Sequence, residues 1–131
     1  MTLEYSSNLR AKGRFGALCR ELSQYMSTLR VNGGAVFPPG GVRVRAIAFE
    51  DFCIADGSLA DAAFVHATLK IGAGRSDAAK QATCNGLFEI MKVHFAEQFA
   101  SQGLALSLEL YEFSESGTLK HNNLHARIKK V

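Results

Sequence analysis

The chain has 131 residues, 47% hydrophobic and 21% charged, the balance of a folded domain and not of a disordered chain. Fifteen Lys and Arg against twelve Asp and Glu leave a formal charge of +3 with the basic residues scattered, which excludes the contiguous basic face that phosphate-driven nucleic-acid binding requires. Cys19, Cys53 and Cys84 form no CxxC pair and read as reduced, mostly buried thiols; with no apolar run of about 18 to 20 residues and no signal-peptide layout, the expectation is a cytoplasmic protein without nucleic-acid or membrane partners.

Residues 2–5 are β-prone and close on Ser6, Ser7 and Asn8, which predicts a short opening strand. Over 12–29 the residues Phe15, Leu18, Cys19, Leu22, Tyr25, Met26 and Leu29 recur at intervals of three and four, one face of a helix, with Arg14, Arg20, Glu21 and Gln24 on its wet side. Val31-Asn-Gly-Gly34 and Pro38-Pro-Gly-Gly41 predict a connecting loop. Over 42–49, Val42, Val44, Ala46 and Ala48 alternate with Arg43, Arg45, Ile47 and Phe49, as in a strand with a basic end on one face. After the turn signals of Asp56-Gly57-Ser58, residues 62–71 are again strand-like and end at Gly72-Ala-Gly74. Ser76 and Asp77 open a helix carried by Cys84, Leu87, Phe88, Met91, Phe95 and Phe99 to about residue 100. Gly103 stops it, and Leu104, Leu106, Leu108 and Leu110 then alternate with polar or small residues as a strand over 104–111. The tail, 112–131, is polar and reads as irregular, with a short strand at 124–128.

Strand, helix, strand therefore occurs twice, over 2–49 and 62–111, within one domain spanning 1–131. Each helix joins two strands that should lie parallel. Two such units predict an α/β fold: a four-stranded mixed sheet with both helices on one face. The other face and the edges stay uncovered in a single copy, so association is expected, most simply as a closed ring.

Candidate chemistry is sparse. In Gly72-Ala-Gly-Arg-Ser76 a strand ends in glycines before a helix, which could offer backbone N–H groups to an anion or could be only a tight turn. Neither a dinucleotide fingerprint nor a Walker loop is present. Arg43 and Arg45 share a strand face, where they could grip a carboxylate or serve as solvated edge charges. His66, His94, His121 and His125 are not spaced as a metal set, and His66, on a strand, and His94, in a helix, read as structural. What remains is an associating α/β protein with arginines suited to a small anion.

The run Phe64-Val-His-Ala-Thr-Leu-Lys-Ile-Gly-Ala-Gly-Arg-Ser76 resembles the 5-carboxymethyl-2-hydroxymuconate isomerases, a branch of the tautomerase superfamily. The likeness extends through Leu3-Glu-Tyr-Ser6 with Asn8, Gly41-Val-Arg43, Ala55-Asp-Gly57, Leu87-Phe-Glu-Ile-Met-Lys92, His94-Phe95, Ala105-Leu-Ser107 with Glu109, and Lys120 with Asn122-Asn-Leu-His125. It implies the same double βαβ fold, like that of macrophage migration inhibitory factor, assembled as a homotrimer. It also implies a cofactor-independent isomerase of homoprotocatechuate degradation, acting on a small di- or tricarboxylate. By motif, Arg43 and Arg75 take the catalytic arginine positions, and Arg45 and Phe37 join them in binding substrate.

The family's general base is an amino-terminal proline. A terminal amine, with an ordinary pKa of about 7.7 to 8.0, suits that task when its surroundings lower it toward neutrality. Members begin Pro-His-Leu before the segment matching residues 2–5, whereas this chain has Met1 in place of the third residue and no proline before Pro38. The expectation is a natural start two residues upstream. The alternative is a catalytically inactive trimeric paralogue, or a module that binds a small dicarboxylate.

Overall fold

The computed structural model describes residues 1–128. Strand β1 is Thr2–Ser6, followed by helix α1, Phe15–Thr28, and a two-strand hairpin of β2, Arg30–Val31, and β3, Gly34–Ala35. Strand β4, Arg45–Phe49, completes the first half. The second half comprises β5, Ala63–Gly72, α2, Asp77–His94, α3, Ala96–Ser101, and β6, Leu104–Phe113, with a last helix α4, Leu124–Ile128.

The sheet order is β4-β1-β5-β6. β1 runs parallel to β4 with Thr2 opposite Arg45, β5 runs parallel to β6 with Ala63 opposite Leu104, and the halves join through the antiparallel β1–β5 pair, Thr2 opposite Thr68. The paired βαβ architecture and mixed sheet read from the periodicity are thus observed. Leu3, Tyr5, Ala63, Val65, Ala67, Leu69 and Ile71 fill one sheet face, beneath Phe15, Leu18, Leu22 and Met26 of α1 and Thr83, Leu87 and Met91 of α2. Tyr5 stacks on Phe15 at 3.6 Å between ring centroids, and Phe15 in turn meets Phe95. The opposite face is uncovered and leaves Ile47, Phe49 and Tyr111 exposed.

Several boundaries depart from the sequence reading. α1 begins at Phe15, because Gly13 bonds back to the Leu9 carbonyl and Arg14 takes a left-handed φ of 47°. The expected loop at 31–41 holds the β2–β3 hairpin and a 3-10 turn at Pro39–Gly41. Asn32 and Gly33 both have positive φ, as a two-residue I′ turn demands. The expected helix from 76 to about 100 is two helices. Phe95 leaves the helical region and stays buried, while α3 reorients so that Gln98 donates to the Lys12 carbonyl and Phe99 faces solvent. The strand expected at 124–128 is instead α4, since the Asn122 side chain accepts the Leu124 N–H at 2.7 Å and starts a turn; the remainder of the tail, 129–131, lies outside the described residues. Cys53 is exposed and Cys19 and Cys84 are half-buried, so the thiols are unpaired but not core residues.

Tyr25 of α1 lies against Gly86 of α2 and donates to the Ala82 carbonyl at 2.8 Å. Gly86→Ala should displace that ring and cost about 1–3 kcal/mol. Gly16→Ala, which meets open space on α1, should be neutral or stabilise by less than about 1 kcal/mol. Urea unfolding midpoints of the two variants check the contrast.

Candidate active site

At one end of the sheet β1 and β4 begin while β5 and β6 finish, and there the chain encloses a pocket of about 600 Å³. Five cationic side chains line it, Arg43, Arg45, Lys70, Arg75 and Lys120, against one carboxylate, Glu115.

Arg75 is held by the turn that follows β5. The backbone reverses at Gly74, whose φ of 110° favours glycine, and Ser76 caps α2 by accepting the Ala79 N–H at 3.1 Å. Arg75 then donates from Nε to the Val36 carbonyl at 3.0 Å and from Nη1 to the Gly72 carbonyl at 3.1 Å. Its guanidinium lies 4.5 Å above the ring of buried Phe37, a cation–π contact that orients the plane. Nη2 is left for a ligand. Ser76 serves one first-turn N–H, and the glycine loop is the turn that aims Arg75. The β2–β3 hairpin matters here, because it delivers Val36 and Phe37 to their places.

Arg43 and Arg45 enter the same pocket from the lead-in and first residue of β4. Among the described residues neither guanidinium has a hydrogen-bond or ion-pair partner. Two unpaired guanidiniums at a pocket mouth repel each other and attract anions. The Met1 amine donates to the Arg43 carbonyl at 2.8 Å, and Arg45 N–H donates back to the Met1 carbonyl at 3.1 Å, so the β1–β4 ladder runs to the first residue. Burial, and next the charges of Arg45 and Arg43, hold this amine below its ordinary value of 8.0.

Of the residues singled out from the sequence, Arg43, Arg45, Arg75 and Phe37 all line one pocket. His66 and His94 lie elsewhere: His66 bonds Ser107 at 2.7 Å and His94 bonds the Gly13 carbonyl at 2.7 Å. Sequence reasoning missed Lys70 and the tail residues Lys120, His121, Asn122 and His125, which also line the pocket. Lys70 stands on β5 just before the Gly72 turn, a position from which it could have been suspected. The tail carried no periodicity that could have revealed its wall. Among the described residues no three His, Cys, Asp or Glu side chains converge as a metal site.

A family model described as 5-carboxymethyl-2-hydroxymuconate isomerase matches residues 1–128. The 5-carboxymethyl-2-hydroxymuconate Delta-isomerase of Escherichia coli is 39% identical over 127 residues, covering 97% of this chain and 96% of the relative. A crystal structure of a 5-carboxymethyl-2-hydroxymuconate isomerase from Deinococcus radiodurans R1 is 44% identical, with a TM-score of 0.88, covering 97% of this chain and 91% of that one. A second structure, of a 5-carboxymethyl-2-hydroxymuconate delta-isomerase, is 30% identical with the same TM-score, covering 97% and 90%.

The depressed amine gives a direct test. In the unfolded chain it titrates near 8.0 and in the folded chain lower, so between the two values the unfolded state binds more protons and this group's contribution makes stability rise with pH. Arg45→Met should move the folded-state pKa back up, read from the pH dependence of selective amine labelling at Met1.

Proposed function

Because the chain belongs to the 5-carboxymethyl-2-hydroxymuconate isomerase family, we propose that it works as one tautomerase-like domain and isomerises 5-carboxymethyl-2-hydroxymuconate to its unsaturated 2-oxo isomer. The setting is homoprotocatechuate degradation in the cytoplasm; three unpaired cysteines suit a reducing compartment. The reaction is a proton transfer of 1,3 or 1,5 type. The base takes the proton of the 2-hydroxyl, the oxygen becomes a carbonyl, the double bonds shift along the conjugated chain, and the proton is delivered to carbon. No redox step is involved.

Arg43 and Arg45 hold a carboxylate at the β4 end and stabilise negative charge that develops on the 2-oxygen. Arg75, fixed above Phe37, binds another carboxylate. The base is a terminal proline amine two residues before Met1. The single observation that carries this reading is the convergence of Arg43, Arg45 and Arg75 on one pocket at the end of the sheet where β1 begins, since cationic neighbours there lower an amine toward the range a base needs. Continuing the β1–β5 register from Thr2 opposite Thr68 puts Met1 opposite Leu69 and a residue two positions before Met1 opposite Ile71, about 7 Å further along the pocket wall. Met1 itself is too shallow for the same role, since general-base transfer requires hydrogen-bond reach.

The assembly is a homotrimer in which each copy's uncovered sheet face meets its neighbours. Exposed Ile47, Phe49 and Tyr111 on that face support it.

Ultraviolet absorbance during isomerisation of 5-carboxymethyl-2-hydroxymuconate tests the reading, using this chain and a version whose mature terminus is Pro-His-Leu in place of Met1. Turnover is expected with the proline terminus and not with Met1. In the active form, Arg43→Ala and Arg75→Ala should each lower kcat/KM on the order of 10²–10³-fold. Light scattering should give three chains per particle. A folded, trimeric proline form without turnover would overturn the proposal.

A further inference from the structure

The segment after β6 is pinned across the pocket mouth. Asn122 donates from Nδ2 to the Gly40 carbonyl at 2.9 Å and accepts the Leu124 N–H at 2.7 Å. His125 packs so closely on Gly40 that a Cβ there would lie 2.7 Å from its Nδ1. At the other end, Thr118 N–H donates to the Glu115 carbonyl at 3.2 Å. Lys120 is fastened between these anchors. Its Nζ lies 5.3 Å from the centre of the Phe113 ring and 3.3 Å from Glu115 Oε2, while Glu115 Oε1 rests against Gly72, whose carbonyl holds Arg75.

The cations therefore sit at different strand tips. Arg43 and Arg45 belong to β4, Lys70 and Arg75 to the end of β5 and the turn after it, and Lys120 stands over the end of β6. With neighbouring strands about 4.8 Å apart, the β4 and β5 tips are roughly 10 Å apart and the β6 tip roughly 5 Å further. A six-carbon diacid has two carboxylates for three positions. The substrate assigned above carries a third carboxylate on its carboxymethyl branch.

We infer that Lys120 is a substrate-specificity residue that receives this third carboxylate and favours tricarboxylates over dicarboxylates at the same pocket. The inference rests on the isomerase reading of that pocket. The partner Lys120 now holds is easily exchanged: both side chains of the Lys120–Glu115 pair are more than half exposed, and such pairs contribute little. A ligand carboxylate arriving between Arg75 and Lys120 displaces Glu115 as the acceptor, and the ammonium stays over Phe113. Glu115 is then a competitor, so removing its charge should act opposite to removing Lys120.

Calorimetric titration of the full chain with muconate and with 2-(carboxymethyl)muconate, whose branch stands where the substrate's does, tests this without requiring turnover. Lys120→Met should weaken 2-(carboxymethyl)muconate binding about tenfold, the worth of a hydrogen bond to a charged group, and leave muconate within about twofold. Glu115→Gln should strengthen 2-(carboxymethyl)muconate more than muconate. If both ligands bind the parent chain and Lys120→Met changes neither, or both equally, the assignment to Lys120 is overturned and the pocket reading stands. Failure of both ligands to bind the parent chain would overturn the pocket reading and this assignment with it.

Discussion

Everything at the functional end of this molecule depends on β1 being paired on both sides. It lies between β4 and β5, so its first residue can neither slide nor twist without breaking two ladders at once. The parallel partner brings Arg43 and Arg45 to the side of the terminal amine, and the antiparallel partner brings Leu69, Lys70 and Ile71 to the other. A one-residue slip of β1 would turn Leu3 and Tyr5 out of the core. Burial of those side chains is therefore what holds the amine in the pocket. Core packing and the placement of the pocket's wall are one constraint in this fold.

The pocket concentrates like charge at some expense to folding. Five cations face a single carboxylate, and two of the guanidiniums have no partner among the described residues. Such repulsion opposes compaction in the empty protein and is relieved when an anionic ligand binds. Arg75 is treated differently from Arg43 and Arg45. Two backbone carbonyls and an aromatic face hold it, so its orientation is set before any ligand arrives. Preorganisation of that kind reduces the ordering that binding must supply.

Much of this was legible in the residues, and what was not has identifiable causes. Alternation in 42–49 and 104–111 and helical spacing in the two long segments gave the strands and helices, because burial of one face imposes a period on the sequence. Arg43 and Arg75 were picked out by motif resemblance, Arg45 by its place on the same strand face as Arg43 and Phe37 as an aromatic suited to a pocket wall, and they converge on one pocket. The break at Phe95 was invisible because Phe95 and Phe99 keep helical spacing; it shows only in the contacts around it, Gln98 to the Lys12 carbonyl and His94 to the Gly13 carbonyl. Asn32-Gly33 did carry a hairpin signal, overridden by the surrounding glycines and prolines. The tail was unreadable for a different reason. Its contacts run through an asparagine amide, a histidine on the backbone of Gly40, and a lysine ammonium over Phe113, and interactions of that type leave no hydrophobic pattern.

The central position of β1 also sets an order of events during synthesis. β1 leaves the ribosome before either of its partners, yet Thr2 must wait for Arg45 and then for Thr68. Until β5 has emerged, the only partners available to its apolar residues are α1 and the first-half strand β4. The Tyr5–Phe15 stack, close in sequence, can form early and shield the strand while it waits. Contacts of long sequence separation form slowly, so the pocket, which needs the ends of β5 and β6 and then the segment beyond them, is the last part of the molecule to exist. A nascent chain with β6 not yet in place would carry a finished helical layer over an incomplete sheet, and no pocket.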